Sequence, residues 1–473
     1  MTPIENMRHP GPSSCHDSHE TAAGSFKASR YNLFLRTAAA DRYIVYNTLC
    51  DSIAAIDAIT REVLEPGRGY AGPLEAIRGL MEAGMMVDET VDEMDLVVHR
   101  YYSIKFDMNN LIFIAVPTYA CNLACAYCFQ GTAKRRQTMD DTTGRAFLLF
   151  VEKMIEIHHP RHVTLILYGG EPLLEPRRCL GLLRSVWERA QAGGMGYHGK
   201  IITNGTLFSS SLIAELKPYL SGVQVSLDGP RKTHDRMRVH PDGRPTYETI
   251  LNNLALLEQA GISTSLRINV DKHNTEAAAE VLDDLVGRDL HRAQHICPYF
   301  GRVVTSTRFC GSYAPYCLQD SEWTVLVQKL WNELRVRGFS YIVNNVVSEN
   351  HPASCKSLSP STYAVGPEGE VYNCLAFIGD PLHQMGKLNS DGVLSLNSRF
   401  YRMMRRNPFE SEKCVNCVYL PRCGGGCTAL AYMEHGTYTA LKCPDGENKM
   451  KAALKFYLES KFPEMKEWQI ALD

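Results

Sequence analysis

Leu111-Ile-Phe-Ile-Ala-Val-Pro117 runs into Cys121-Asn-Leu-Ala-Cys125-Ala-Tyr-Cys128, and this junction decides the fold. The first stretch is a short apolar run closed by proline, the pattern of a buried strand. The second sets three cysteines in a C-x3-C-x2-C spacing. Three thiolates from one short loop can hold three irons of a cubane [4Fe–4S] cluster and leave the fourth iron open. Four cysteines instead wrap a cluster that only carries electrons. The competing reading is a structural zinc site, where C-x2-C halves are common.

Outward from this loop, short apolar strands alternate with helical patterns. The strands are expected at Leu111–Val116, Val163–Leu167, Lys200–Thr203, Val223–Leu227, Ser265–Val270 and His295–Phe300. One intervening helix starts from Asp141 as a capping residue, with Phe147, Phe150, Val151, Met154 and Ile155 on one face. Such alternation implies a parallel sheet with right-handed crossovers. The expected class is α/β, a partial (β/α)6 TIM barrel over residues 106–320. Chemistry sits at the carboxyl ends of barrel strands, and there the polar motifs fall. They are the cysteine loop, Tyr168-Gly-Gly-Glu-Pro172, Thr203-Asn-Gly205, Ser226-Leu-Asp-Gly229 and Arg267-Ile-Asn-Val270. Singly, each reads equally as a turn or a rim polar; their joint order along one edge points to a site.

The chain has 473 residues, too many for one ordinary core. Its 50 Lys+Arg nearly balance 52 Asp+Glu, which argues against duplex nucleic acid or an anionic membrane as a bulk electrostatic partner. No apolar run is long enough to span a bilayer. Residues 1–29 are polar, lack a signal-peptide core and read as a disordered leader. Sixteen cysteines in a large chain of cytoplasmic character point to metal rather than disulfides. They are bunched at 121–128, 297–317, 355 and 374, and 414–443; Cys15, Cys50 and Cys179 stand apart as ordinary thiols.

The cysteine spacing, with Tyr127 before the third cysteine, resembles the signature of the radical S-adenosylmethionine (SAM) superfamily. That resemblance spans about residues 110–320. It implies that the open iron of a Cys121/Cys125/Cys128 cluster chelates SAM, and that one electron cleaves SAM to methionine and a 5′-deoxyadenosyl radical. Gly169, Gly170, Glu171 and Pro172 match the family motif that receives the methionine amino group. Ser226 and Arg238 match the pair that holds the carboxylate, as a guanidinium fork suits; Arg236 lies close enough to be confused with Arg238. Asn204 and Asn269 lie where the family contacts the ribose or the methionine end.

Cys355, Gly369, Cys374, Cys414, Cys417, Cys423, Cys427 and Cys443 resemble the SPASM module of radical SAM maturases, expected over 351–450 after a bridge at 321–350 and before a C-terminal helix and tail at 451–473. The resemblance implies two auxiliary [4Fe–4S] clusters. Cys414, Cys417, Cys423 and Cys443 would hold the outer one, and Cys355, Cys374 and Cys427 the inner. Two departures stand out. No fourth cysteine lies between Cys355 and Cys374, where Ser357, Ser359 and Ser361 occupy the loop. The inner cluster then has an open iron, or Cys297, Cys310 or Cys317 closes it. Sulfatase maturases place an aspartate after the second SPASM cysteine, as a base; here that residue is Leu375.

Residues 30–105 form a separate α+β block. Strands are expected at Tyr31–Leu35, Arg42–Asn47 and Ser52–Ile56, helices near 57–65 and 74–85, and an acidic link at 88–95. The block resembles the leader-peptide recognition domains fused to peptide maturases; a simple extension capping the barrel is the alternative. Together the resemblances imply a cytoplasmic enzyme that forms a thioether or carbon–carbon crosslink in a ribosomally made precursor peptide. Flavodoxin or ferredoxin would donate electrons, and neither nucleic acid nor membrane is a partner. The alternatives are a sulfatase-maturase-like protein oxidase and, from another class, a zinc-stabilised binding protein.

Overall fold

The computed structural model describes residues 25–471 except 39–40, 66, 72–73, 132–135, 340–354 and 444–445. Cys15, most of the leader segment and residues 340–350 of the expected bridge lie outside the described residues.

Six parallel strands form the heart of the molecule: β7 (Asn110–Ala115), β8 (His162–Leu167), β9 (Gly196–Thr203), β10 (Gly222–Leu227), β11 (Thr264–Val270) and β12 (Ile296–Arg302). They pair in chain order, as right-handed crossovers dictate. Each expected strand is present within a few residues. Lys200–Thr203 grows to eight residues because Gly196 pairs with His162. The first crossover helix is Asp141–His158, and its cap is Asp140 rather than Asp141. The Asp140 carboxylate accepts the Thr143 N–H at 2.7 Å. Phe147 and Phe150 of this helix meet Phe113 of β7 edge to face, at 6.3 and 5.7 Å between ring centroids.

The sheet continues past β7. Strand β13 (Thr362–Val365) pairs parallel with β7, and β14 (Glu370–Tyr372), β15 (Gly386–Leu388) and β16 (Leu394–Leu396) follow antiparallel. The C-terminal cysteine region thus shares one ten-stranded sheet with the barrel. Helix Asp320–Val336 begins where the bridge was expected, and its Trp331 meets Phe456 of helix Gly446–Lys461 at 5.7 Å.

The N-terminal block holds two small sheets. Strands β2 (Asn32–Arg36), β3 (Arg42–Asn47) and β4 (Ser52–Asp57) form an antiparallel meander, with helices Ala58–Val63 and Leu74–Glu82 after it. The second sheet was not legible: β1 (Phe26–Ala28) sits between β5 (Gly69–Tyr70) and β6 (Met86–Asp88). The leader reading therefore gives way at Phe26, whose ring is buried. The acidic link is also corrected. Glu93 is buried, accepts hydrogen bonds from Ser29 Oγ and the Arg30 N–H, and opens helix Glu93–Lys105.

Removing the Phe113 ring opens a cavity where three aromatic side chains meet. Phe113→Ala is expected to cost about 3–5 kcal/mol, whereas Ile157→Ala, on the exposed side of the same helix layer, should cost under about 0.5 kcal/mol. Denaturant midpoints of the two variants check the difference.

Candidate active site at the cysteine loop

Strand β7 ends at Ala115 and the chain turns through Pro117–Ala120 into the three cysteines. Two backbone bonds clamp this turn to the loop after β8: Gly170 N–H donates to Thr118 O at 3.1 Å, and Glu171 N–H to Ala120 O at 2.8 Å. The approach excludes any side chain. A Cβ on Gly170 would collide with the carbonyl oxygens of Tyr119 and Ala120, and one on Gly169, whose φ is 143°, would lie 2.5 Å from Thr118 O. On its other side the loop is held by the Ala124 N–H on Val239 O at 2.9 Å, and His240 Nδ1 lies 2.9 Å from Asn122 O.

Glu171 is fully buried. Its carboxylate accepts Leu173 N–H at 3.0 Å, Thr203 Oγ at 2.8 Å and Asn204 N–H at 2.8 Å. Burial pushes its carboxyl up and these donors pull it back, with a net rise. Glu171 therefore joins the ends of β8 and β9 through its carboxylate, and the cysteine loop through its backbone N–H. Asn204 carries the link on, donating to Asn122 Oδ1 at 2.8 Å and reaching Cys121 Sγ at 4.0 Å.

Tyr127 lies at the centre of a second network. Its hydroxyl meets both oxygens of Asp228, at 2.8 and 2.7 Å, and accepts from Arg238 Nη1 at 2.8 Å and Asn269 Nδ2 at 3.1 Å. Asn269 also donates to Asp228 at 3.0 Å. Burial raises the Tyr127 phenol and the Asp228 carboxyl. Burial works against the Arg238 charge, but Tyr127, Cys125 and Asp228 outweigh it. Arg236, by contrast, is exposed. Ser226 lies on β10 in register with Arg267.

Asp228 and His234 escaped the sequence reading as site residues. His234 is buried; its Nδ1 accepts the Asp228 N–H at 3.2 Å, so Nε2 carries the proton toward Thr246 Oγ at 3.0 Å. Thr246 in turn donates to Arg238 O at 2.6 Å, fixing the backbone that presents the guanidinium. Burial keeps this imidazole neutral. A histidine three residues past a turn carries no such signal in one sequence.

The residues fit an iron–sulfur cluster with SAM. Arg238 Nε is buried without a partner, an orphan donor beside an engaged Nη1, as an incoming carboxylate requires. The cysteines carry thiols rather than disulfides. No group of three His, Cys, Asp or Glu among the described residues suits a single metal ion. A zinc ion draws its thiolates to about 2.3 Å from one centre, whereas a cubane binds each thiolate to a different iron and spaces them apart.

The second cysteine set splits in two. Cys374 has Cys355 and Cys427 as thiol neighbours, and the Ser357 hydroxyl bonds to its sulfur. Cys423 faces Cys414, Cys417 and Cys443. Burial pushes the Cys374 thiol up to about 12 and the Cys423 thiol up to about 11, so these groups deprotonate on meeting a metal rather than before it. Tyr168 is acted on by both Cys128 and Cys374, with its ring stacked on Phe129 at 6.0 Å. Cys317 instead neighbours Cys310 and packs with Met237, Val303 and Tyr313 against Tyr127. Cys310 Sγ bonds to Thr307 O at 3.3 Å, and Cys297 lies on β12 opposite Ser265.

Residues 115–285 match the radical SAM superfamily. The serine-type anaerobic sulfatase-maturating enzyme of Bacteroides thetaiotaomicron is 22% identical over 335 residues, 65% of this chain and 80% of the relative. The cysteine-type enzyme of Clostridium perfringens is 20% identical, covering 74% and 93%. Among solved structures, anSMEcpe with bound AdoMet and Cp18Cys peptide aligns with a TM-score of 0.56 at 18% identity, over 76% of this chain and 98% of that one. Streptococcus suis SuiB bound to precursor peptide SuiA aligns at 0.50 and 14%, over 88% and 99%. Residues 115–285 are thus a radical SAM domain, and the chain is an enzyme with [4Fe–4S] and SAM as its cofactors.

The glycine clamp makes a sharp expectation. Gly170→Ala should displace the cysteine loop and cut iron retained after anaerobic reconstitution, while Gly181→Ala, a helix position with open space around it, should retain the parental iron. Iron and sulfide analysis of both variants checks this.

Proposed function

We propose that this enzyme modifies a peptide by hydrogen abstraction at the mouth of the barrel, using Cys121, Cys125 and Cys128 for the SAM-binding cluster and the C-terminal cysteines for two auxiliary clusters. The observation that carries this reading is the placing of both cysteine sets around one sheet, with Tyr168 acted on by a thiol from each. When bound, the cluster and SAM supply a 5′-deoxyadenosyl radical.

The protein's own part is orientation. Arg238 offers Nε and its remaining donors to the SAM carboxylate, and Ser226 lies on the adjoining strand. The carbonyls around Gly169–Glu171 would receive its amino group, with Asn204 and Asn269 beside the two networks. Tyr127 and Asp228 hold the guanidinium still, and buried His234 keeps its backbone in place. Protein-side catalysis here is positioning around a radical that the cofactor makes.

The expected product is a thioether or carbon–carbon crosslink. In its favour, Leu375 stands where sulfatase maturases place a base, and Cys310 and Cys317 group with each other rather than with Cys355, Cys374 and Cys427. Of the three candidates for a fourth ligand that leaves Cys297, on β12; where it does not close the inner cluster, Cys355, Cys374 and Cys427 leave one iron open to a peptide thiolate. The sulfatase-maturase-like oxidation has its own support in the curated relatives. Flavodoxin or ferredoxin would supply the electron, in a reducing compartment such as the cytoplasm. No helix among the described residues is long and apolar enough to cross a membrane. Among the described residues β4 ends the N-terminal meander, an edge to which a leader peptide can add a strand.

Anaerobically reconstituted protein should carry about 12 irons. Cys121→Ala, Cys125→Ala and Cys128→Ala together should leave about eight and abolish 5′-deoxyadenosine formation under dithionite; formation that survives overturns the assignment. Cys297→Ala, Cys310→Ala and Cys317→Ala should each keep about 12; a loss of about four irons in any one closes the inner cluster and overturns the open-iron route. A peptide from an open reading frame beside the gene then separates the products, since a hydrazide reagent labels an aldehyde but not a crosslink.

Arg238→Ala should weaken SAM binding by about 1.5–3 kcal/mol, the worth of charge-assisted hydrogen bonds, with cluster absorption unchanged. Arg236→Ala should leave binding as it was. Equilibrium titration with SAM checks both.

A further inference from the structure

Arg406 and Lys105 are the two cations that the function above leaves unexplained. Arg406 is fully buried and Lys105 is 2% exposed. A buried charge is costly unless an opposite charge meets it, and neither has a carboxylate partner among the described residues. Arg406 spends its fork on carbonyls: Nε donates to Ala440 O at 2.8 Å, Nη1 to Gly426 O at 3.0 Å and Nη2 to Gly425 O. Lys105 Nζ donates to Met404 O at 2.6 Å and Arg406 O at 3.0 Å. The groups that act on the Arg406 charge are Tyr101 and the thiols of Cys355, Cys427 and Cys423. Gly425 and Gly426 belong to the loop joining Cys423, of the outer set, to Cys427, of the inner.

We propose that Arg406, backed by Lys105, is the shared counter-charge of the two auxiliary cluster sites and raises their reduction potentials. This rests on the assignment of those cysteines to clusters. A cluster bound by thiolates is a buried anion, and each electron it accepts adds negative charge. Net charge and hydrogen bonding around the sulfurs set its potential. A guanidinium bonded only to neutral carbonyls keeps its whole charge for that purpose, and it cannot be deprotonated in a protein. Lys105 comes from helix Glu93–Lys105 of the N-terminal block, so that block supplies the second charge behind Arg406. These are positioning residues, and they touch neither peptide nor SAM.

The test is a redox titration followed by electron paramagnetic resonance, on the full chain carrying Cys121→Ala, Cys125→Ala and Cys128→Ala so that only auxiliary signals remain. Lys105→Met and Arg406→Gln should each lower the potential by about tenfold in the reduction equilibrium, about 59 mV for one electron. Lys105→Arg and Arg406→Lys, which keep the charge, should stay close to the parent. Should Arg406→Gln lose iron, Lys105→Met decides alone, because it leaves the glycine loop bonded to Arg406. Unshifted potentials in a charge-removing variant with full iron overturn the proposal. A parent with fewer than about eight irons overturns the cluster assignment instead.

Discussion

The contact between the Gly169–Gly170 backbone and the turn that carries the cysteines is the constraint on which the site depends. Two main-chain hydrogen bonds close it, and there is no room for a Cβ between the strands' ends. Everything else is referenced to that contact. Glu171 follows directly from it and fastens β9 through Thr203 and Asn204. Asn204 then reaches back to Cys121 and Asn122. A closed loop of bonds across three strand ends holds the thiols in place before any metal arrives, which suits a site that must keep one iron open to a ligand.

The barrel was legible because its signals are local. Each strand is a short apolar run, and the polar motif after it falls at the same edge. Arg238 could be named from a motif, but only burial separates it from Arg236, two residues away and exposed. The network around Tyr127 was half legible. Asp228 read as a turn residue and His234 as nothing, because their roles arise from β10 meeting the helix end at Arg238 and from Asn269 on the next strand. The N-terminal block failed differently. Strands β1, β5 and β6 are two or three residues long, too short for alternation to register, and Glu93 looked like one more acid in an acidic run. The grouping of Cys310 with Cys317 was likewise beyond spacing alone, since distance along the chain says little about which thiols converge.

The three regions named from sequence are less separate than their names. Arg30 donates to Val415 O and Thr48 to Val418 O, and Arg422 pairs with Asp51 at 3.3 Å in a nearly buried ion pair. The N-terminal block thus leans on the outer cysteine set. One apolar core runs from Leu33 and Ile44 through the barrel to Met450 and Phe456.

The pairing of β13 with β7 has a consequence for how the chain is made. During synthesis the barrel strands emerge in order, yet Ile112 waits for Thr362, its partner, until nearly four-fifths of the chain has been translated. In that interval β7 presents an open, apolar parallel edge beside three cysteine thiols. Such an edge invites pairing with another nascent chain, and long-range pairing is slow. The C-terminal cysteine region is therefore also the element that seals the barrel. A chain truncated before β13 should suffer in solubility before it suffers in chemistry.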